Sequence, residues 1–241
     1  MGGLHLGSWV GPFASGIGTT LLVTFLGAAG AVIIALVFGL LARSHSVGWR
    51  AVARVFVEFF RGTSLLIQLF WLFFVLPLPP FQILLDPLAV GVLAFSLNFG
   101  AYGAEIVRGA INAVPRAQWE ATVALNMTPY ERMRRVILPQ AIVGMIPPFT
   151  NLLIQLLKST PLVFTITLAD LTAKTSSYRA TEGNDPFIFT LSLVLYFILA
   201  YLLTLGMNML ERRAKAAIGQ REPRRKLLTP AFSEPVEGEL I

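Results

Sequence analysis

Long apolar runs, separated by short polar and basic stretches, set the pattern of this chain. Residues 16–41 contain no charged side chain. About 20 mostly apolar residues are enough to cross the hydrocarbon core of a bilayer, so this run predicts a first spanning helix. Its Gly27, Gly30 and Gly39 would admit another helix at close range. Arg43, Arg50 and Arg54 follow on a segment that reads as interfacial. A second span is predicted over residues 62–78, ended by the prolines of PLPP at 77–80. Asp86-Pro87 opens a third, running through Gly103 towards Val107. The fourth covers residues 136–157 and holds Pro147-Pro148, a pair that kinks a helix and leaves carbonyls for neighbours to satisfy. After a mixed segment at 158–186, an uncharged run over 187–210 predicts the fifth.

Composition agrees with this pattern. The 241 residues are 55% hydrophobic and 13% charged, with a mean hydropathy of +0.70, whereas soluble domains carry about 25% charged residues. The formal charge of +6 lies at the ends of apolar runs and not on one soluble face, which argues against nucleic acid as a partner and for membrane lipid as the surroundings. Basic residues follow span one (Arg43, Arg50, Arg54), span three (Arg108, Arg116, Arg132, Arg134, Arg135) and span five (Arg212, Arg213, Lys215). The positive-inside rule puts these regions in the cytoplasm. The expected fold is therefore all-α and integral to the membrane, with about five transmembrane helices, N-terminus out and C-terminus in. Residues 1–13 read as an extracytoplasmic segment, retained because no basic residue precedes the first apolar run. Residues 14–215 read as the transmembrane domain, and 216–241 as a polar cytoplasmic tail. The chain has no Cys and two distant His, His5 and His45, so a metal site is not expected.

One stretch breaks the apolar pattern: QWEATVALNMTPYERMRRVILP, residues 118–139. Pro115 suits the first turn of a helix, and residues 116–125 supply about three turns with Trp119 and Val123 on one face. Asn126 tolerates the left-handed conformation that closes a helix. Thr128-Pro129-Tyr130-Glu131 reads as a capping box with proline at the first helical position. Bundle connections usually run about 2–8 residues. A connection over 112–139 with caps at its joints reads as a docking element.

This stretch resembles the "EAA" loop of type I ABC-importer permeases: EAA, three residues, Gly, nine residues, Ile, one residue, Leu-Pro. Glu120, Ala121 and Thr122, then Asn126, then Val136, Leu138 and Pro139 stand at the matching spacing. Thr122, Asn126 and Val136 depart from the motif's Ala, Gly and Ile. EFFRGTSLLIQLFWLFFVLP (58–77), SLNFGAYGAEIVRGAINAVP (96–115) and NLLIQLLKSTPLV (151–163) resemble the polar amino-acid branch, the histidine/glutamine/opine-type permeases. EFFRGTSLLIQLFW and ALNM resemble permeases of ectoine and hydroxyectoine uptake in particular.

The resemblance implies a multi-pass bacterial inner-membrane permease that imports a polar amino acid or similar zwitterion. Its implied partners are a cytoplasmic ABC ATPase dimer, a second permease subunit (the same or a related chain) and an extracytoplasmic substrate-binding protein. No cofactor is expected in this chain; ATP and Mg would be bound by the ATPase. Trp119, Glu120, Ala121, Thr122 and Asn126 would form the coupling loop, with Glu120 its anchor and Asn126 its bend. Val136, Leu138 and Pro139 would fix its entry into span four.

Polar residues inside spans are candidates for a solute path. Asn98, Tyr102 and Glu105 share one face of span three, Asn151, Gln155 and Lys158 share one face of span four, and Gln68 lies in span two. They offer acceptors to an ammonium and donors to a carboxylate; helix–helix hydrogen bonding explains them equally well. A short echo, E-x-x-R-G, occurs at 58–62 and 105–109, where Glu and Arg three apart can pair on one helix face.

Other functions fit less well. No Lys follows a Gly as a phosphate loop requires, so the chain is not itself the ATPase. No catalytic constellation marks a membrane enzyme. The alternatives are an ion-coupled secondary transporter, which lacks support from inverted repeats, and a channel subunit, which leaves the capped loop unexplained.

Overall fold

In the computed structural model, residues 6–182 and 185–217 are described, and among them every regular element is a helix. α1 (Leu6–Leu41) starts at Leu6 and not at the predicted Gly16. The reason is packing: Phe13, 5% exposed, sits in an apolar group with Leu171 and Ile188 from later in the chain. Of the predicted segment 1–13, residues 1–5 lie outside the described residues and the rest begins α1. Of the predicted tail, residues 218–241 lie outside them.

The second predicted span departs most from expectation. Residues 43–62 hold a 16-residue helix, α2 (Val47–Gly62). It is followed by the six-residue α3 (Leu65–Phe70) and a π turn over Trp71–Val75. α2 and the α3 segment meet at 100°. The stretch from Leu65 to Val75 rises only about 16 Å at 1.5 Å per residue, about half a hydrocarbon core, so 62–78 does not cross alone. The "interfacial" segment is the other limb of the same bent element. α2 presents Arg50, Arg54 and Glu58 to one side and exposes Val52, Val55 and Phe59 on another.

α4 (Pro87–Asn112) begins as the sequence predicts. Asp86 caps it by accepting from the Leu88 and Ala89 N–H groups, and Pro87 takes the first turn. α4 packs along α1 with very little space between them. A Cβ on Gly39 would fall 2.7 Å from Val107 Cβ, and one on Gly100 would fall 2.6 Å from Ile34 Cγ2. The facing pairs Gly27–Phe95, Gly30–Ser96 and Gly39–Val107 climb together along both helices, so α1 and α4 run parallel. The chain between them must therefore return across the layer, and the bent α2–α3 pair is that return. Together with the four long apolar helical stretches, this makes five crossings.

After α5 (Arg116–Ala124) and α6 (Pro129–Arg132), a π turn over Met133–Ile137 leads straight into α7 (Leu138–Ser159). The fourth span is thus one arm of a continuous helical run, Pro129–Ile166, that ends in a 3-10 turn over Thr160–Ile166. Each π turn lies just ahead of a proline, Pro77 or Pro139. A proline has no N–H for the carbonyl four residues back. The Leu76 and Leu138 N–H groups reach to Trp71 O and Met133 O, five residues back. α7 runs through Pro147-Pro148 as helix, and Thr150 Oγ1 donates to Ile146 O at 2.9 Å just beyond.

α8 (Leu171–Glu182) and α9 (Asp185–Ala217) complete the chain. Asp170 is wholly buried at the start of α8. It accepts from Ala173 N at 2.8 Å and from Tyr196 Oη at 3.3 Å. Burial raises its pKa above the ordinary carboxylate value, against the hydrogen bonds that lower it.

Candidate functional site

The break between α2 and α3 builds the upper part of the site. A helix that ends leaves carbonyls without intrahelical partners, and away from water they need donors. Phe60 O accepts from Gln68 Nε2 at 3.0 Å and from Asn98 Nδ2 at 2.9 Å. Thr63 Oγ1 donates to Phe59 O at 2.8 Å and accepts from Gln68 Nε2 at 2.7 Å. Tyr102 Oη donates to Arg61 O over 3.4 Å. Span two's Gln68 and span three's Asn98 and Tyr102 thus collect the loose end of α2.

Beside this joint lies a cavity of about 450 Å³, lined by Thr63, Ser64, Asn98, Tyr102, Gln155 and Lys158 among others. Asn98 Oδ1 takes no protein partner among the described residues. The structure does not bring all the predicted path residues here. Gln68 is buried under the joint and is absent from the lining. Asn151 is exposed a turn below Gln155 and is also outside it.

The E-x-x-R-G echo defines a second chamber. Glu58 and Arg61 on α2 face Glu105 and Arg108 on α4 across a cavity of about 320 Å³, with Arg50 and Arg54 completing its rim. Arg108 pairs with Glu105 at 2.5 Å. Arg61 instead lies over the Tyr102 ring, 5.2 Å from its centre. Tyr102 lines the upper chamber and Arg61 the lower, so this stacked pair stands between the two. In the sequence each copy is a Glu and an Arg three apart that can neutralise one another on one helix face. That the copies converge follows from the bend, which periodicity does not reveal.

The polar stretch at 118–139 lies at the basic end of the bundle. α5 closes with Met127 N donating to Thr122 O at 3.1 Å and Asn126 N to Val123 O at 2.9 Å. Asn126 has φ 53°, the left-handed residue of a Schellman ending. Thr128 and Glu131 then form a reciprocal capping box. Trp119 is half-buried against an apolar group that includes Ile111, Ile137, Ala141 and Val136. Thr122, where the motif has Ala, is 2% exposed, and its hydroxyl donates to Trp119 O at 2.7 Å. Glu120 and Ala121 point outward, as do Val123, Leu125 and Tyr130, at 55, 70 and 68% exposure. Leu138 and Pro139 sit where α7 begins. Arg43, one basic residue among several in the sequence, has its guanidinium 5.5 Å from the centre of the Trp119 ring, a contact that no local pattern signals.

The comparisons with known proteins point the same way. Residues 31–216 match the family described as "Binding-protein-dependent transport system inner membrane component". A probable amino-acid ABC transporter permease of Sinorhizobium fredii is 41% identical, over 88% of this chain and 91% of its own. The permease of the L-cystine transport system of Bacillus subtilis is 39% identical over 83% and 85%. That of the glutamine transport system of Escherichia coli is 37% identical over 81% and 90%. Among solved structures, an amino acid ABC transporter crystallised with histidines superposes with a TM-score of 0.81 at 32% identity, over 88% of this chain and 99% of the other. The MetNI methionine ABC transporter shares the fold, with a TM-score of 0.72 at 22% identity.

Proposed function

This chain belongs to the family of binding-protein-dependent transport system inner membrane components and is the permease subunit of an amino-acid ABC importer; from that premise we propose how it works and what it carries. The solute is a polar amino acid or amino-acid-like zwitterion, delivered by an extracytoplasmic binding protein. The basic end of the bundle faces the cytoplasm, so the N-terminus is out and the C-terminus in. α5 and α6 dock on a cytoplasmic ABC ATPase dimer that binds ATP and Mg, and a second permease subunit completes the path.

One observation carries the coupling reading. At the basic end of a membrane bundle, the α5–α6 joint holds Glu120, Val123, Leu125 and Tyr130 outward on a backbone fixed by a Schellman ending and a capping box. An acidic group ringed by exposed apolar side chains on a rigid support suits a protein partner. The test is copurification of the ATPase subunit and ATP-driven uptake in proteoliposomes. Glu120→Ala and Leu125→Asp each lower both; wild-type values in both variants would sink the docking role.

The two chambers support a route for the solute. The upper one offers Lys158 to a carboxylate and Asn98 Oδ1 to an ammonium; the lower one offers arginines together with Glu58 and Glu105. Such mixed donors and acceptors complement a zwitterion better than a simple ion. Within the class, the ectoine and hydroxyectoine reading rests on residues 58–71 and 124–127. Binding of ectoine against glutamine and cystine by the cognate binding protein decides it.

A further inference from the structure

We propose that Arg43 is a positioning residue that ties the end of α1 to the coupling helix, so that α1, α4 and α5 move as one piece when the ATPase displaces α5. The inference rests on the docking role just given. Arg43 stands two residues past the end of α1, in the turn before α2. Its Nη1 donates to Oδ1 of Asn112, the last residue of α4. Its guanidinium lies 5.5 Å from the centre of the Trp119 ring on α5. One planar group therefore touches the ends of three elements.

The position is held against opposing forces. Arg43 Nε is buried with no hydrogen-bond partner, which costs free energy in a donor removed from water. Burial, and after it the like charge of Arg108, lower its pKa from the ordinary guanidinium value. An arginine with no positional role would turn into the water at this end of the bundle. Here it stays in the joint, where the face of the indole ring attracts the guanidinium.

The other ties of α5 lead elsewhere. Gln140 Nε2 on α7 donates to Gln118 Oε1 at 3.3 Å, and the underside of Trp119 packs on an apolar group drawn mostly from α4 and α7. Such apolar contacts can slide; an arginine held by a directed hydrogen bond and a ring face resists rotation of one helix end against the other. Among the described residues, no other polar or cation–ring contact joins the α1 end to α5.

The chain has no cysteine, so paired labels can be placed on it, before assembly, with no competing thiol of its own. One doubly labelled permease chain per complex carries spin labels at Val37→Cys, on the outer face of α1, and Ala124→Cys, on exposed α5. A second sample, labelled at Ala124→Cys and at the corresponding position of the second permease subunit, reports movement of α5 across the complex; α8 is no reference, since Leu171 N donates to Thr20 Oγ1 on α1. Distances are measured in the intact complex with its ATPase, nucleotide-free and vanadate-trapped. With Arg43 present, the distance between the α5 helices of the two subunits shifts on trapping and the α1–α5 distance does not. In Arg43→Gln the α1–α5 distance shifts too, and Arg43→Lys, which keeps the charge and part of the reach, restores most of the tie. Trp119→Leu, which keeps an apolar side chain and removes the ring face, reproduces the Gln result and serves should Arg43→Gln fail to assemble. An Arg43→Gln complex whose α1–α5 distance stays fixed on trapping overturns the proposal. If the unsubstituted complex shows no shift between the two α5 helices, the docking reading falls and this inference falls with it.

Discussion

Asn98 illustrates how much one side chain carries. It lines the upper chamber and at the same time satisfies Phe60 O at the broken end of α2. Replacing it by Leu leaves that carbonyl to Gln68 alone. We expect a stability loss of about 1–3 kcal/mol, read as lowered thermal stability of the purified permease, in addition to any change in solute affinity. Gln68→Leu should cost a similar amount while leaving affinity closer to the parent, because Gln68 does not line the chamber. Equal affinity losses in both variants would contradict that separation. Asp170 makes a prediction of another kind. Its pKa is raised from 3.8 by burial, so the folded chain keeps its proton over a pH range where the unfolded chain has lost it. Its contribution to stability is thus greatest at or below about 3.8, falls as pH climbs through the raised value, and is flat above it. Asp170→Asn keeps an acceptor for the Ala173 N–H and should remove that slope from a melting-temperature profile. The polar side chains were visible in the sequence as intramembrane polar groups. Their partners were not, because the acceptors are backbone carbonyls exposed only by a bend.

At the scale of elements, the α5–α6 stretch was the most legible part. Its Asn126 and its Thr128-to-Glu131 spacing are local signals, and local hydrogen bonds within six residues realise them. Asn126→Gly should be neutral or slightly stabilising. Asn126→Val should cost about 1–2 kcal/mol, since a β-branched residue resists positive φ. Thr128→Ala should cost about 1 kcal/mol. Hydrogen exchange of the α5–α6 amides checks all three: faster exchange in the Val and Ala variants only. The α2–α3 bend was the least legible. Residues 47–75 read as an amphipathic stretch followed by an apolar one, and hydrophobicity alone sees two segments. The Gly62-Thr63-Ser64 junction is a local breaker, but at the 100° bend Asn98 and Tyr102 on α4 also meet the freed carbonyls of Phe60 and Arg61, and no window of neighbouring residues contains those donors.

For the molecule as a whole, the parallel packing of α1 and α4 calls for a return between them, and the bend in that return brings the two E-x-x-R-G copies face to face. Gly39 sits in that contact without room for a side chain. Gly39→Leu should force the helices apart at a cost of 1–3 kcal/mol or more, roughly the range for overpacking, and should reduce the yield of assembled transporter; Gly11→Leu, where nothing lies within 4 Å, should not. ATP-driven uptake that survives an uncoupler but not vanadate would distinguish the importer from an ion-coupled carrier. The π turn over Met133–Ile137 has a further consequence for how such a chain can vary. It packs one residue more into the turn than an α-helix would, and each residue of helix corresponds to about 100° of rotation and 1.5 Å of rise. Deleting a single residue there would let a regular α turn take its place and leave the α5–α6 head on nearly the same bearing, because the wide turn already absorbs the extra residue; a deletion within the regular turns of α7 would instead swing the head by about 100°. The segment should therefore accept the loss of one residue far more readily than the regular turns of α7 do, so lineages of this transporter should differ in letter count here before they differ there.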